Sequence, residues 1–219
     1  MSFFDRFFQV PSDLQNSWWG LVGWQLHLTL LPVLWGLLLA LPLGLLCARF
    51  RWLYPPVLGM ATVFYAIPSL AFFVFLIDVT GETPITVEIP LTIYTLVVLV
   101  PAIVDGMRSV SEETRAAATA MGFGTLRRYL QVELPIAVPA IIAGLRVATV
   151  SSISLVSIGV LIGNQGALGN LLSDAMNYHR PLLAWDAVLT IALLGVLLDA
   201  LLVLARRLLT PWARKATSA

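Results

Sequence analysis

Six charged side chains, Glu112, Glu113, Arg115, Arg127, Arg128 and Glu133, crowd into one stretch, "EETRAAATAMGFGTLRRYLQVELP" (112–135), of a chain that is otherwise almost all hydrocarbon. Carboxylates and guanidiniums on a short alanine-rich segment suit recognition, because they make charge-assisted hydrogen bonds to a partner. Other ionisable groups are few and deep: Asp105, Arg146 and Asp199 fall in apolar runs, where a charge needs a partner or water. Nucleotide chemistry has no residues to run on. The one lysine, Lys215, lies in the tail, so no G-x-x-x-x-G-K-[ST] loop exists, and no G-x-S-x-G elbow is present. His27 and His179 are far apart and lack a Glu-x-x-His or Cys partner, so both read as structural, with no metal and no cofactor site. Intramembrane carboxylates are too sparse for a proton- or sodium-driven carrier. If this chain moves a solute, another subunit supplies the energy.

The elements that position these groups follow from composition. Of 219 residues, 59% are hydrophobic and only 11% charged, and the mean hydropathy is +0.90. Soluble domains average about 25% charged residues, so this chain reads as an all-α integral membrane protein. Cys47 is the single cysteine, which excludes an internal disulfide. A helix needs about 20 apolar residues to cross roughly 30 Å of hydrocarbon. Charge-poor runs supply five such spans, at 22–47, 56–77, 88–107, 135–162 and 183–206. The first is too long for a cleaved signal, and no A-x-A site follows it.

Basic residues orient the spans. With the C-terminus in the cytoplasm, the inner segments hold Arg49, Arg51, Arg108, Arg115, Arg127, Arg128, Arg206, Arg207, Arg214 and Lys215, and the outer ones only Arg6 and Arg180. The N-terminus is therefore expected outside, and the charged central segment inside. Three regions result: an extracytoplasmic 1–20, a transmembrane domain over 21–207 with the charged segment at 111–133, and a cytoplasmic tail at 208–219. In the first, Phe3, Phe4, Phe7 and Phe8 share one helical face; it either lies in the outer interface, with Trp18 and Trp19 as belt residues, or frays. Pro32, Pro42 and Pro68 fall inside spans, either as packing kinks or as breaks that line a cavity. No internal repeat stands out, and nothing in the charge pattern suggests nucleic acid.

Within 111–133, Ser111 is placed to cap a helix whose first turn carries Glu112 and Glu113, where the helix dipole favours them. Gly122 and Gly124 break it, and a second basic stretch runs to Leu134 and Pro135. Such a helix–turn–helix is either a handle for a cytosolic partner or a loop lying on the interface; the residues alone allow both.

The same residues resemble the EAA loop of ABC-importer membrane subunits, with its pattern E-A-A-x-x-x-G-x9-I-x-L-P. Ala117, Ala118, Gly122, Val132, Leu134 and Pro135 match in type and spacing, and Ala116 stands where the glutamate is expected. "AIPSLAFF" (66–73), "VELPIAVPAIIAGLRVAT" (132–149), "LIGNQGALGNLL" (161–172) and "LLDALLVLARRLLTPW" (197–212) are similar to segments of permeases for glycine betaine, choline and carnitine. Together they cover roughly residues 20–212. The methionine permease is the nearest alternative in the superfamily. From another class, a non-transporting membrane scaffold or enzyme with a recruitment loop would share the polar segment.

The resemblance implies a type I ABC importer permease fold: five transmembrane helices with a cytoplasmic coupling helix between spans three and four. It implies an inner-membrane subunit working with an ABC ATPase dimer, a second permease subunit and an extracytoplasmic substrate-binding protein. ATP and Mg would be bound by the ATPase, with no cofactor and no catalysis in this chain. Glu112, Glu113, Arg115, Ala116, Ala117, Ala118, Gly122, Leu134 and Pro135 would contact or shape the ATPase junction, with Glu112 or Glu113 standing in for the missing glutamate. Phe64, Tyr65, Phe72 and Phe73 around Pro68, with Ser69, are candidates for lining the pathway, since aromatic faces hold quaternary ammonium groups. Arg146 lies eleven residues past Pro135, roughly 16 Å up a helix. It either pairs with Asp199 or Asp105 or snorkels to the inner headgroups.

Overall fold

Ser17 starts the first helix by accepting a hydrogen bond from the Gly20 backbone N–H at 3.1 Å, which satisfies one of the free donors at a helix start. The computed structural model describes residues 17–163 and 166–211, all of it helix and short connections. Phe3, Phe4, Phe7 and Phe8, most of the 1–20 segment, Asn164, Gln165 and the tail from 212 lie outside the described residues.

Helix α1 spans Trp18–Arg49 and absorbs both Pro32 and Pro42. A 3₁₀ turn, Arg51–Leu53, leads into α2, Tyr54–Ala66, and α3, Ser69–Thr80. Next come α4, Ile85–Arg108, and the short α5, Glu112–Ala120. Helix α6, Thr125–Arg128, runs through a π turn at Tyr129–Glu133 into α7, Leu134–Gly163. Helix α8, Leu168–Asn177, and α9, Pro181–Leu209, complete the described chain.

Four stretches are long and apolar enough to cross a membrane: α1, α4, the continuous α6–α7 and α9. The second expected span, 56–77, is instead the pair α2–α3, bent by 88°. A fifth crossing exists only if that pair counts as one. Pro68 causes the break: Ile67 before it is pushed to an extended ψ of 125°, as a residue preceding proline is. The fourth expected span starts earlier than 135, because the π turn carries the helix through Leu134–Pro135 without a stop.

The core is the packing of α1 and α7 on α4, with Leu99, Val100, Ile103, Val104 and Met107 of α4 against Ala40, Cys47, Ala137, Ile141 and Ala148. Small residues let α4 and α7 approach closely. A Cβ on Gly144 would sit 2.5 Å from Ala102 Cβ, and one on Gly106 would sit 3.1 Å from Ala140 Cβ. Without a hydrophobic drive between helices in lipid, this close contact provides the van der Waals attraction. Gln25 ties α1 to α7 by donating Nε2–H to the Ile153 carbonyl at 3.0 Å. Helix α9 packs on α7 and α8 yet buries only Ala187 and Gly195.

Candidate functional site

The charged segment is a folded unit. Ser111 Oγ accepts from the Thr114 backbone N–H at 3.2 Å, closing the start of α5. Its own backbone N–H and then the Ser111 hydroxyl hold the Glu113 carboxyl below the usual carboxylate range. Helix α5 ends where Gly122 turns back with φ +82°, a left-handed conformation that costs an L-residue roughly 1–2 kcal/mol. A Cβ there would meet nothing within 4 Å. Gly122→Ala should therefore destabilise the turn by about 1 kcal/mol through backbone strain alone, read as faster amide exchange at 121–125 with global melting unchanged.

Glu133 organises this unit. Its side chain is 2% exposed and accepts from Arg128 Nε at 2.9 Å. Arg115 Nε lies 3.3 Å from its other oxygen, an ion pair without a hydrogen bond. Arg115 also donates to the Met107 carbonyl at 2.8 Å and to Glu112 at 3.0 Å, while Arg128 donates to Thr119 Oγ1 at 3.0 Å. The two arginines thus fasten both halves of α5 to the end of α4 and the foot of α7. Ala118 is buried beneath α5, whereas Glu112, Glu113, Ala116 and Ala117 are exposed. Leu134 and Pro135 are half-buried where α7 begins. Glu133 was visible in the sequence as one more charge of a polar stretch, and nothing local marked it as buried.

The α2–α3 bend gathers a different set. Tyr94 of α4 donates its hydroxyl to the Ile67 carbonyl at 2.9 Å, satisfying a backbone acceptor close to the break at Pro68. Its ring packs edge-on to Tyr65 with centroids 5.4 Å apart and lies 6.1 Å from Phe72. Phe64 stacks on Phe72 at 6.3 Å. Phe72 and Phe73 are buried and serve packing, while Phe64, Tyr65 and Pro68 are exposed and Ser69 is half-buried. The sequence reading missed Tyr94, which lies 26 residues beyond Pro68 on another helix. Tyr94→Phe should keep the packing, lose one hydrogen bond worth about 1 kcal/mol, and loosen the bend, seen as closer α2–α3 alignment in spin-label distances.

Arg146 meets Asp199 in a two-point pair, Nε to Oδ1 at 2.7 Å and the terminal nitrogen to Oδ2 at 2.8 Å. Among the described residues it forms no pair with Asp105. Asp199 also borders a cleft of about 580 Å³ between α7 and α9, beside Ser154 and Ser157. Near the opposite end of α1, His27 stacks on Trp24 and comes within 3.7 Å of Glu88, a neighbour the sequence did not suggest. Among the described residues no three His, Cys, Asp or Glu side chains come together as a metal site.

Apolar crossing helices with a charged helical unit stapled to one end define a multi-pass helical membrane protein. The chain belongs to the family of binding-protein-dependent transport system inner membrane components, whose profile matches residues 40–215. It is 34% identical to the osmoprotectant import permease protein OsmW of Salmonella typhimurium (strain LT2), over 84% of this chain and 89% of that one. It is 28% identical to the choline transport system permease protein OpuBB of Bacillus subtilis (strain 168), over 84% and 86% of the two chains. A solved inward-facing structure of the MetNI methionine ABC transporter matches with a TM-score of 0.70 at 20% identity, covering 96% of this chain and 99% of that one. That likeness concerns the fold.

Proposed function

We propose that this chain is the pathway-forming membrane subunit of an ATP-driven importer for a small osmoprotectant such as glycine betaine, carnitine or choline. The observation that carries the coupling role is the rigid attachment of α5 through Glu133, which makes 111–133 a handle able to transmit a push. A loop merely resting on the interface has no need of a buried carboxylate with two arginine partners. The substrate class follows the relatives named above.

In this reading 21–207 is the permease domain, α2–α3 counts as the second of five crossings, and the arginine-rich end faces the cytoplasm, with the N-terminus outside. An ABC ATPase dimer, which binds ATP and Mg, docks on α5 from the cytoplasm. A second permease subunit completes the pathway, and a substrate-binding protein delivers solute from outside. ATPase closure draws two α5 helices together and rocks the spans outward; hydrolysis resets them, an alternating access around a fixed pathway. Phe64 and Tyr65 at the exposed side of the bend present aromatic faces to a quaternary ammonium.

The test is co-expression with an ATPase and a binding protein, followed by binding-protein-stimulated ATP hydrolysis and radiolabelled betaine uptake in vesicles. Both are expected. Failure to retain any ATPase would end the importer reading, and uptake of methionine without betaine would move the chain to the amino-acid branch.

A further inference from the structure

At the arginine-rich end, a cavity of about 740 Å³ opens between the end of α1, the end of α4, one face of α5 and the foot of α7. Five arginines line it against two glutamates, Glu112 and Glu133. Those carboxylates are taken by Arg115 and Arg128. Arg49, Arg51 and Arg108 form no ion pair among the described residues and are exposed. Arg49 lies over the Phe50 ring at 5.5 Å and Arg108 over the Tyr54 ring at 5.0 Å. Held over rings and without a carboxylate partner among the described residues, these guanidiniums keep N–H donors for phosphate oxygens, which arginine takes in pairs.

Two further observations say what fills the cavity. Trp52 beside it is 73% exposed, and an exposed tryptophan flanking a spanning helix marks headgroup depth. The cavity therefore opens where lipid phosphates lie. Its wall also includes Ala116, the position at which the EAA pattern has glutamate. A carboxylate there would add a third negative charge facing the arginines; a methyl group leaves their charge unanswered.

We infer that this cavity is a binding site for the phosphate-bearing headgroup of an anionic phospholipid, with Arg49, Arg51 and Arg108 as its ligands. It rests on the orientation proposed above only in assigning the lipid to the inner leaflet. Headgroup binding needs neither ATP nor uptake, so its failure and that of the importer reading are separate results.

The experiment is titration of the full-length chain in neutral detergent with phosphatidylglycerol or phosphatidylcholine, with bound lipid counted by native mass spectrometry. Each arginine near an anionic surface is worth roughly fivefold in affinity, so phosphatidylglycerol should bind on the order of a hundredfold more tightly. The triple variant R49Q/R51Q/R108Q should lose that preference. Ala116→Glu, a change to another good helix former at an exposed position, should cut it by roughly fivefold or more while leaving the helix content intact. Millimolar inorganic phosphate should not displace the lipid; displacement would assign the cavity to a free anion and overturn the lipid reading. The proposal also fails if the preference survives in the triple variant, as it would were these arginines only topology signals. Stoichiometric loss of lipid on ATPase binding would overturn it too, because the cavity would then belong to a protein interface.

Discussion

Replacing Glu133 with glutamine should free the 111–133 unit while leaving the membrane helices standing. The carboxylate is 2% exposed and faces guanidiniums that are themselves only about a quarter exposed, at 25% and 23%. Hydrogen bonds to charged groups contribute about 1.5–3 kcal/mol. Partial exposure lets water take over some of the stranded positive charge, so a net loss of about 2 kcal/mol is expected. That loss is local, because α5 contacts the rest of the chain mainly through these two arginines and Ala118. Amide exchange across 112–133 should therefore rise by roughly ten- to a hundredfold, at about tenfold per 1.4 kcal/mol, with the thermal midpoint shifted by only a few degrees. Glu133→Asp, which keeps the charge on a shorter arm, should recover part of the protection. In the assembled importer, ATP hydrolysis should continue while solute uptake per ATP falls, since a loosened handle follows the ATPase without moving the spans. A purely structural role for Glu133 predicts that uptake and hydrolysis fall together. Unchanged exchange in the glutamine variant would show that the buried carboxylate does not hold α5.

Which parts were legible depended on whether their cause was local. Charge-poor runs revealed the four long crossing stretches because lipid admits little else. Ser111 and Gly122 announced the start and end of α5, since a cap and a left-handed turn are properties of the residue itself. The prolines behaved differently from one another for a reason the sequence does not carry. Pro32 and Pro42 sit inside an unbroken α1, whereas at Pro68 the chain turns by 88° and Tyr94 reaches over to the freed Ile67 carbonyl. Proline thus breaks one helix and is absorbed by another, and at the break a partner from a different helix satisfies the exposed carbonyl. Glu133 was hidden in the same way: it is buried only because Arg115 and Arg128 fold back over the foot of α7. For Arg146 the choice between two carboxylates was a matter of level. The Gly144–Ala102 contact sets the register of α4 against α7. Asp105 then falls roughly 7.5 Å below Arg146, reckoned at 1.5 Å per residue, while Asp199 on α9 stands level with it.

Removing Arg146 alone should harm the protein more than removing Arg146 and Asp199 together. The pair joins α7 to α9 through two short hydrogen bonds, and α9 has few other specific attachments, since only Ala187 and Gly195 are buried. Arg146→Met leaves a carboxylate on an otherwise apolar helix face, where an unpaired charge is unfavourable. In R146M/D199L neither charge remains, and hydrophobic replacement of an ion pair is often neutral. Asp199→Asn should lie between, for a reason of side-chain length. Arginine can carry its head along the helix toward the headgroups, and an aspartate cannot reach them. The expected order of stability is wild type and double variant together, then D199N, then R146M, with a coupling of roughly tenfold in the unfolding equilibrium constant. Unfolding in mixed micelles measures it, and disulfide trapping between cysteines placed on α7 and α9 reports whether the helices separate. Were Arg146 working only by reaching the headgroups, D199N would be silent and R146M would match the double variant. The intermediate position of D199N is therefore the result that separates a structural tie between α7 and α9 from an arginine that happens to lie near a carboxylate.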